Sequence, residues 1–288
     1  MRDDFAVFIL THGRAEKVIT YNTLRKCGYT GKIYLVIDDM DSQEDLYREK
    51  YENVIQFNKK LEAEKSDVMD NDDDMRIVLY ARNCCHEKAK ELGLTYFLEL
   101  DDDYTTFLFR YVGWDPTAKK VKLLSKAVTD FDAVVDYMLE FLELNGAKTV
   151  AFAQGGDYIG GAASANNKLF MRKAMNSFFC KTDRPFKFLG RINEDVNAYT
   201  LLGSQGDLFL TVGQIMLTQM QTQANAGGLT DVYLKYGTYV KSFYTVMCMP
   251  SAVKISVMGD GHERVHHQIS WDYCVPKIIS GRFKHGEE

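Results

Sequence analysis

The stretch of this chain with the clearest chemical content is Tyr96-Phe-Leu-Glu-Leu-Asp101-Asp-Asp-Tyr104, a short apolar run that ends in three aspartates. Apolar residues suit a strand buried in a parallel sheet and carboxylates do not. The aspartates therefore mark the strand's carboxyl end, where open α/β sheets bind ligands. Side chains alternate along an extended strand end, which sends Asp101 and Asp103 one way and Asp102 the other. Two carboxylates on one side suit Mn2+ or Mg2+ when water and phosphate oxygens complete the shell. The implied chemistry is a nucleotide handled through its diphosphate.

Other residues fit around that site. Arg82, in Ala81-Arg82-Asn83, is a candidate for bidentate contact with a diphosphate. Asp38 and Asp39 end a second apolar run, where acidic residues accept hydrogen bonds from a ribose or base; loop solubility and helix capping are the plainer account. Thr11, His12 and Arg14 occupy the turn after the first apolar run and are candidates to touch the nucleotide. Glu194 and Asp195 head a helix. The helix dipole accounts for one acid there, and a general base beside an acceptor hydroxyl would account for the other. His266-His267 offers an imidazole to complete a carboxylate-bound Mn2+ site, against the plain alternative of a surface or core pair.

The elements that must hold these residues follow from the apolar pattern. Strands are expected at 5–10, 32–37 and 53–57, alternating with helices at 15–27 and 43–51. The acidic tract 59–74 is expected to be a mobile loop, with a second metal site as a remote alternative. A helix at 77–92 closed by Gly93 precedes the aspartate strand. Beyond it come a helix at 129–144, a strand at 149–153, a glycine-rich segment to Gly161, a short strand at 169–171, a helix opening at 190–195, and strands at 208–212 and 241–246. Gly160-Gly161 and Gly227-Gly228 either admit a ligand close to backbone or turn the chain.

At 288 residues, 46% hydrophobic and with only 4 prolines, the chain can bury a sizeable core without long linkers. No stretch approaches the roughly 20 apolar residues of a membrane span. Met1-Arg-Asp-Asp4 leads directly into a strand-like run, so no signal peptide is expected. The six cysteines lack C-x-x-C spacing, and reduced thiols are expected. A net charge of −5 does not advertise nucleic-acid binding, yet residues 168–191 carry seven cations (Lys181, Arg184, Lys187 and Arg191 among them) against the single acid Asp183. Such a patch binds phosphates or forms an ordinary solvated face.

Taken together, these parts resemble a glycosyltransferase of the GT-A fold. Asp101 and Asp103 resemble its Asp-x-Asp motif, Ala81-Arg82-Asn83 its upstream Ala-Arg-Asn segment, Asn193-Glu-Asp195 its downstream Glu-Asp element, and His266 or His267 its late metal-binding histidine. Ile9-Leu-Thr-His-Gly-Arg14, Gly156-Asp-Tyr-Ile-Gly-Gly161, Arg191-Ile-Asn-Glu-Asp195, Gly237-Thr-Tyr-Val-Lys-Ser-Phe-Tyr244 and the segment from Trp271 to Lys277 narrow the resemblance to the TET-associated glycosyltransferases.

The resemblance implies one GT-A-like domain over 1–288. It is α/β, with a mostly parallel central sheet flanked by helices. A Rossmann-like nucleotide-sugar half (1–110) is fused to an acceptor-binding half with a closing C-terminal segment (111–288). It further implies a metal-dependent transfer from a UDP-sugar or other nucleotide-sugar to a hydroxymethylated pyrimidine in phage DNA, in the host cytoplasm. Asp101, Asp103 and one histidine would hold Mn2+ or Mg2+. Thr11, His12, Arg14, Asp38, Asp39, Arg82, Asp101 and Asp102 would hold the donor. Asp195 or Glu194 would take the acceptor proton if configuration inverts, and Lys181, Arg184, Lys187 and Arg191 would track DNA, with the base either flipped or reached in the groove. The rivals are a protein, glycan or lipid acceptor, a nucleotidyltransferase, and a non-catalytic DNA-binding subunit.

Overall fold

The computed structural model describes residues 1–165, 169–220, 240–258 and 264–276. Lys168, Gly227, Gly228, residues 237–239, His262, Lys277 and His285 lie outside them.

The first half is built on β1 (Phe5–Leu10), β2 (Lys32–Asp38), β3 (Val54–Phe57) and β4 (Tyr96–Asp101), all mutually parallel in the order β3-β2-β1-β4. All six residues of β1 are buried, as a strand covered on both faces requires. Its odd residues Phe5, Val7 and Ile9 join a core with helices α1 (Ile19–Lys26) and α5 (Phe131–Asn145). Its even residues Ala6, Phe8 and Leu10 join a second core with α4 (Leu79–Glu91) and α7 (Glu194–Ser204). Helices α2 (Glu44–Lys50) and α3 (Lys59–Glu64) complete this half, and α6 (Gly161–Ala165) follows later.

The same sheet continues as β9 (Ser177–Lys181), β7 (Thr149–Ala153), β10 (Phe209–Gln219), β5 (Tyr104–Asp115) and β6 (Lys120–Ala127), with β8 (Phe170–Met171) on β10. Strands β1–β4, β6, β7 and β10 point one way, and β5, β8 and β9 the other. The expected α/β architecture with a mainly parallel sheet is therefore present. A separate hairpin, β11 (Val253–Met258) and β12 (Arg264–Ile269), lies between helices Val240–Cys248 and Trp271–Cys274. Among the described residues no helix is long and apolar enough to cross a membrane, and all six cysteines are unpaired.

Three segments differ from expectation. Residues 241–246 lie in a helix, where buried Ser242 and Thr245 share one face at i,i+3 spacing, and not in a strand. The tract 59–74 is folded: Asn58 caps α3 by accepting the Leu61 N–H at 2.8 Å, and Asp67, Asp70, Asp72 and Asp74 each accept the N–H two residues on. The β5–β6 hairpin had no counterpart in the expected elements.

The C-terminal segment docks on α7. Tyr199 stacks on Trp271 with ring centroids 5.7 Å apart, and a Cβ at Gly203 would overlap the Cys274 carbonyl oxygen. Gly203→Ala is therefore expected to destabilise the protein by about 1–3 kcal/mol. An unchanged denaturant midpoint would show that the segment does not dock there in solution.

Candidate active site

The chain runs β1, β2, β3 outward and then returns to place β4 on the other side of β1. The carboxyl ends of β1 and β4 thus flank the point where strand order reverses, the place where such sheets open a ligand crevice. The Thr11–Arg14 turn and the three aspartates meet there.

Alternation along β4 decides which way each acid faces. Phe97 belongs to the core beneath α4 and α7, and Glu99 and Asp101 follow it onto that face. Arg82, on α4, is only 2% exposed and meets them. Its Nη2 donates to Asp101 Oδ1 at 2.9 Å, its Nε donates to Glu194 Oε1 at 3.0 Å, and its Nη1 lies 3.9 Å from Glu99. The guanidinium packs 5.0 Å from the ring centre of Phe178 and 5.7 Å from that of Phe188. Burial opposes its charge, but chiefly Asp101 and then Glu194 outweigh it and keep it ionised far above the ordinary range. Arg82 was expected to meet a diphosphate; here it is enclosed and ties the aspartate strand to the Glu194–Asp195 helix.

Asp102 faces the other way and is buried, accepting from Thr11 Oγ1 at 2.7 Å and Arg14 Nη1 at 2.9 Å. Tyr47 joins them: its hydroxyl lies 3.0 Å from Thr11 Oγ1 and accepts the Arg14 N–H at 2.8 Å. Thr11 and Asp102 thus fix the turn, while the partly exposed Arg14 leaves a cation at the crevice. Asp38 is buried between His12 at 2.7 Å and Lys59 at 3.2 Å, and Asp41 lies 3.6 Å from the same imidazole. The hydrogen bond to Asp38 raises the His12 pKa. Asp39 is exposed and accepts the Lys59 N–H at 3.0 Å.

Asp101 is positioned further by the Tyr104 hydroxyl, 3.1 Å from its Oδ2. Asp103 is half-buried, and its pKa is pushed up to about 7 by burial and by the charges of Asp101 and Asp102. That is the signature of a carboxylate cluster short of positive charge, and it fits a divalent cation. Among the described residues no three His, Cys, Asp or Glu side chains form a ready-made metal site. Two carboxylates with phosphate and water would complete such a shell.

Asn193 adopts a left-handed conformation (φ 57°) before α7, one that asparagine tolerates. Its side-chain amide reaches the Lys241 carbonyl at 2.6 Å, the Thr245 hydroxyl at 3.0 Å and His267 Nδ1 at 3.5 Å. His267 is therefore beside Asn193, with the His266 ring 4.3 Å away. Burial, then His266 and Lys241, lower the His267 pKa to about 4, leaving a neutral imidazole. Asp195 is buried, and burial and then Glu194 raise its pKa well above the usual carboxylate range.

The basic segment does not form a continuous open track. Lys181 pairs with Glu143 at 3.0 Å and Asp183 at 3.1 Å. Arg184 donates to the Leu142 carbonyl at 2.9 Å, and Lys187 donates to the Lys65 carbonyl at 3.2 Å. Arg191, read from sequence as a DNA contact, is 2% exposed and grips Asp70 through two bonds of 2.7 and 2.9 Å. Sequence reasoning also missed Tyr47, Asp41, Lys59 and Tyr104. Only Tyr104 had a signal, its position directly after the aspartates.

The chain matches the sequence model of the TET-Associated Glycosyltransferase family over residues 5–228, which include every residue of this site except the late histidines and the partners of Asn193 at Lys241 and Thr245. The protein belongs to that family. No curated protein matches this TET-associated glycosyltransferase in sequence. Solved structures similar in fold include glucosyl-3-phosphoglycerate synthase from Mycobacterium tuberculosis with Mn2+, UDP and phosphoglyceric acid (10% identity, 92% of this chain and 86% of that one, TM-score 0.45). Two others are the mannosyltransferase PcManGT from Pyrobaculum calidifontis with GDP-Man and Mn2+ (10%, 78% and 59%, 0.47) and S. aureus TarS with UDP-GlcNAc (15%, 84% and 66%, 0.40).

Arg82→Met in this TET-associated glycosyltransferase would leave Asp101 and Glu194 without their buried cation. Urea unfolding should show a loss of about 3–5 kcal/mol, and Arg82→Lys, which keeps the charge but not the fork, a smaller one. Equal stability of wild type and Arg82→Met would remove the clasp from the account.

Proposed function

We propose that this protein moves a sugar from a nucleotide-sugar donor to the hydroxymethyl group of a 5-hydroxymethylcytosine-type base in DNA. The observation that carries this reading is the bridge made by Arg82, which joins a metal-type carboxylate, Asp101, to the Glu194–Asp195 pair through one guanidinium. Membership of the family supports the glycosyl transfer, and the family's name supports the DNA acceptor.

In this reading residues 1–110 hold the donor, residues 111–288 hold the acceptor, and the C-terminal segment closes the site. Asp101 and Asp103 hold Mn2+ or Mg2+, with His267 or His266 as a further ligand. The cation, when bound, offsets the negative charge of the departing nucleotide. Arg14, His12 and Asp39 line the nucleotide crevice, and Thr11, Asp38 and Asp102 fix its walls. Glu194 is held by Arg82 and stays in place. Asp195, whose burial raises its proton affinity, accepts the proton of the acceptor hydroxyl if configuration inverts and orients the acceptor if it is retained.

Mass spectrometry of nucleosides from hydroxymethylcytosine DNA, treated with the enzyme, Mn2+ and a panel of sugar nucleotides, should show a sugar mass added to the modified base. Transfer only to glycan, protein or lipid would overturn the DNA acceptor. Asp195→Asn should lower kcat by about 10²–10⁴-fold with donor KM unchanged.

The metal assignment has its own readout. The Asp103 pKa rises on folding from 3.8 to about 7, so the metal-free fold loses stability as pH climbs through that window. Mn2+ should therefore raise the unfolding temperature more at about pH 8 than at about pH 5.5, and Asp103→Asn should erase the difference. An equal shift at both values would place the ion elsewhere.

A further inference from the structure

We propose that the β5–β6 hairpin is the surface on which the acceptor duplex lies, an inference that rests on the DNA reading above. The chain as a whole carries −5, yet residues 104–127 carry five cations against one acid, Asp115. No carboxylate among the described residues pairs with Lys120 or Lys126, while Lys122 meets Asp115 at 2.7 Å. The cations of the 181–191 segment are, by contrast, already engaged within the protein.

Register shows how the hairpin divides its two faces. Cross-strand partners share a face, so Phe109 stands with Lys126, Tyr111 with Leu124, Gly113 with Lys122 and Asp115 with Lys120. Gly113 leaves room between the Leu124 and Tyr111 side chains, which close over it. On the opposite face, Leu108 and Leu123 pack into a small core with Tyr158 and Met216, and Arg110 lies over the Tyr158 ring at 4.9 Å. That face is covered near the base of the hairpin, while Trp114 and Val121 at its tip are 61% and 56% exposed. The other presents Tyr111, 48% exposed, and Phe109 on β5 beside Lys120, Lys122 and Lys126 on β6, the strand that ends the sheet among the described residues. Lysine on an edge strand guards against aggregation. Exposed aromatics beside it do the reverse, and the combination suits a polyanion with apolar groove walls.

Length and position agree with that occupant. β5 starts at Tyr104, directly after Asp103, and its 12 residues span roughly 40 Å. That is about one turn of duplex. A two-stranded ribbon fits the major groove, and the pyrimidine C5 substituent projects into that same groove. The hairpin would hold the duplex on the side from which a hydroxymethyl group is presented.

The test uses Lys120→Glu, Lys122→Glu and Lys126→Glu together, and separately Tyr111→Ser, with thermal unfolding as the check on folding. The probes are a hydroxymethylcytosine duplex longer than one helical turn and a hydroxymethylcytosine trinucleotide. The triple variant is expected to bind the duplex at least about tenfold more weakly, with a salt slope smaller by roughly 2–3, about 0.9 for each lysine that meets a phosphate. Its transfer to the trinucleotide should stay at the wild-type rate. If the triple variant fails to fold, the glutamine versions carry the same expectation. Tyr111→Ser should weaken duplex binding without changing the salt slope, and unchanged duplex affinity in both folded variants, with an unchanged slope in the triple variant, would overturn the proposal. So would a wild-type dimer that the variants dissolve, which would make this face a contact between two copies. Wild-type protein that modifies neither probe would instead sink the DNA acceptor itself, an outcome distinct from failure of the hairpin alone.

Discussion

The site depends on one buried cation. Arg82 sits beneath the end of β4 with carboxylates from two elements on its guanidinium and Glu99 close by. Removing such an ion from water costs several kcal/mol, which attraction offsets only where geometry and hydrogen bonding are good. Here two of the three carboxylates make charge-assisted bonds near 3 Å. The third, Glu99, has its pKa pushed up to about 8 by burial, so at neutral pH it is mostly protonated and adds little negative charge. The balance is then one guanidinium against two carboxylates, and the remaining negative charge collects at the open end of the strand. Asp103, with its raised pKa, records that excess. The clasp thus fixes the geometry of the acids while leaving their outward charge for a ligand.

The sequence made the nucleotide half legible because its signals are local. β1 is a continuous apolar run and β4 one interrupted only by Glu99, and the end of each is marked by an abrupt change to polar residues. The three aspartates identify a strand end without reference to anything distant. The function of Arg82 was not legible, because its partner Glu194 is 112 positions away and bidentate contact to a phosphate or to a carboxylate calls for the same residue. Arg191 misled for the same reason. It lies in a basic run, but its partners are backbone carbonyls and Asp70 in a loop more than a hundred residues upstream. The acidic tract looked solvated because an Asx turn leaves no apolar periodicity to read. In 241–246, β-branched and aromatic residues suggested a strand, and the contacts of Asn193 with Lys241 and Thr245 show tertiary packing overriding that preference. The β5–β6 hairpin escaped notice because its exposed half carries aromatics on both faces, Tyr111 on one and Trp114 on the other, which blurs the alternation.

A carboxylate-rich site and a polyanionic acceptor pose an electrostatic problem that the layout addresses by separation. Charges more than about 10 Å apart are largely screened from each other at ordinary salt. The acids at the β1–β4 crevice and the lysines along β6 are therefore nearly independent fields. The first can concentrate positive charge for a diphosphate, and the second can attract phosphates of a duplex, without either cancelling the other. β5 joins the two, running from Tyr104, whose hydroxyl touches Asp101, to the lysine-bearing tip. A single rigid strand thus ties the position of the acceptor surface to that of the metal-type carboxylate, so that correct seating of one sets the approach to the other.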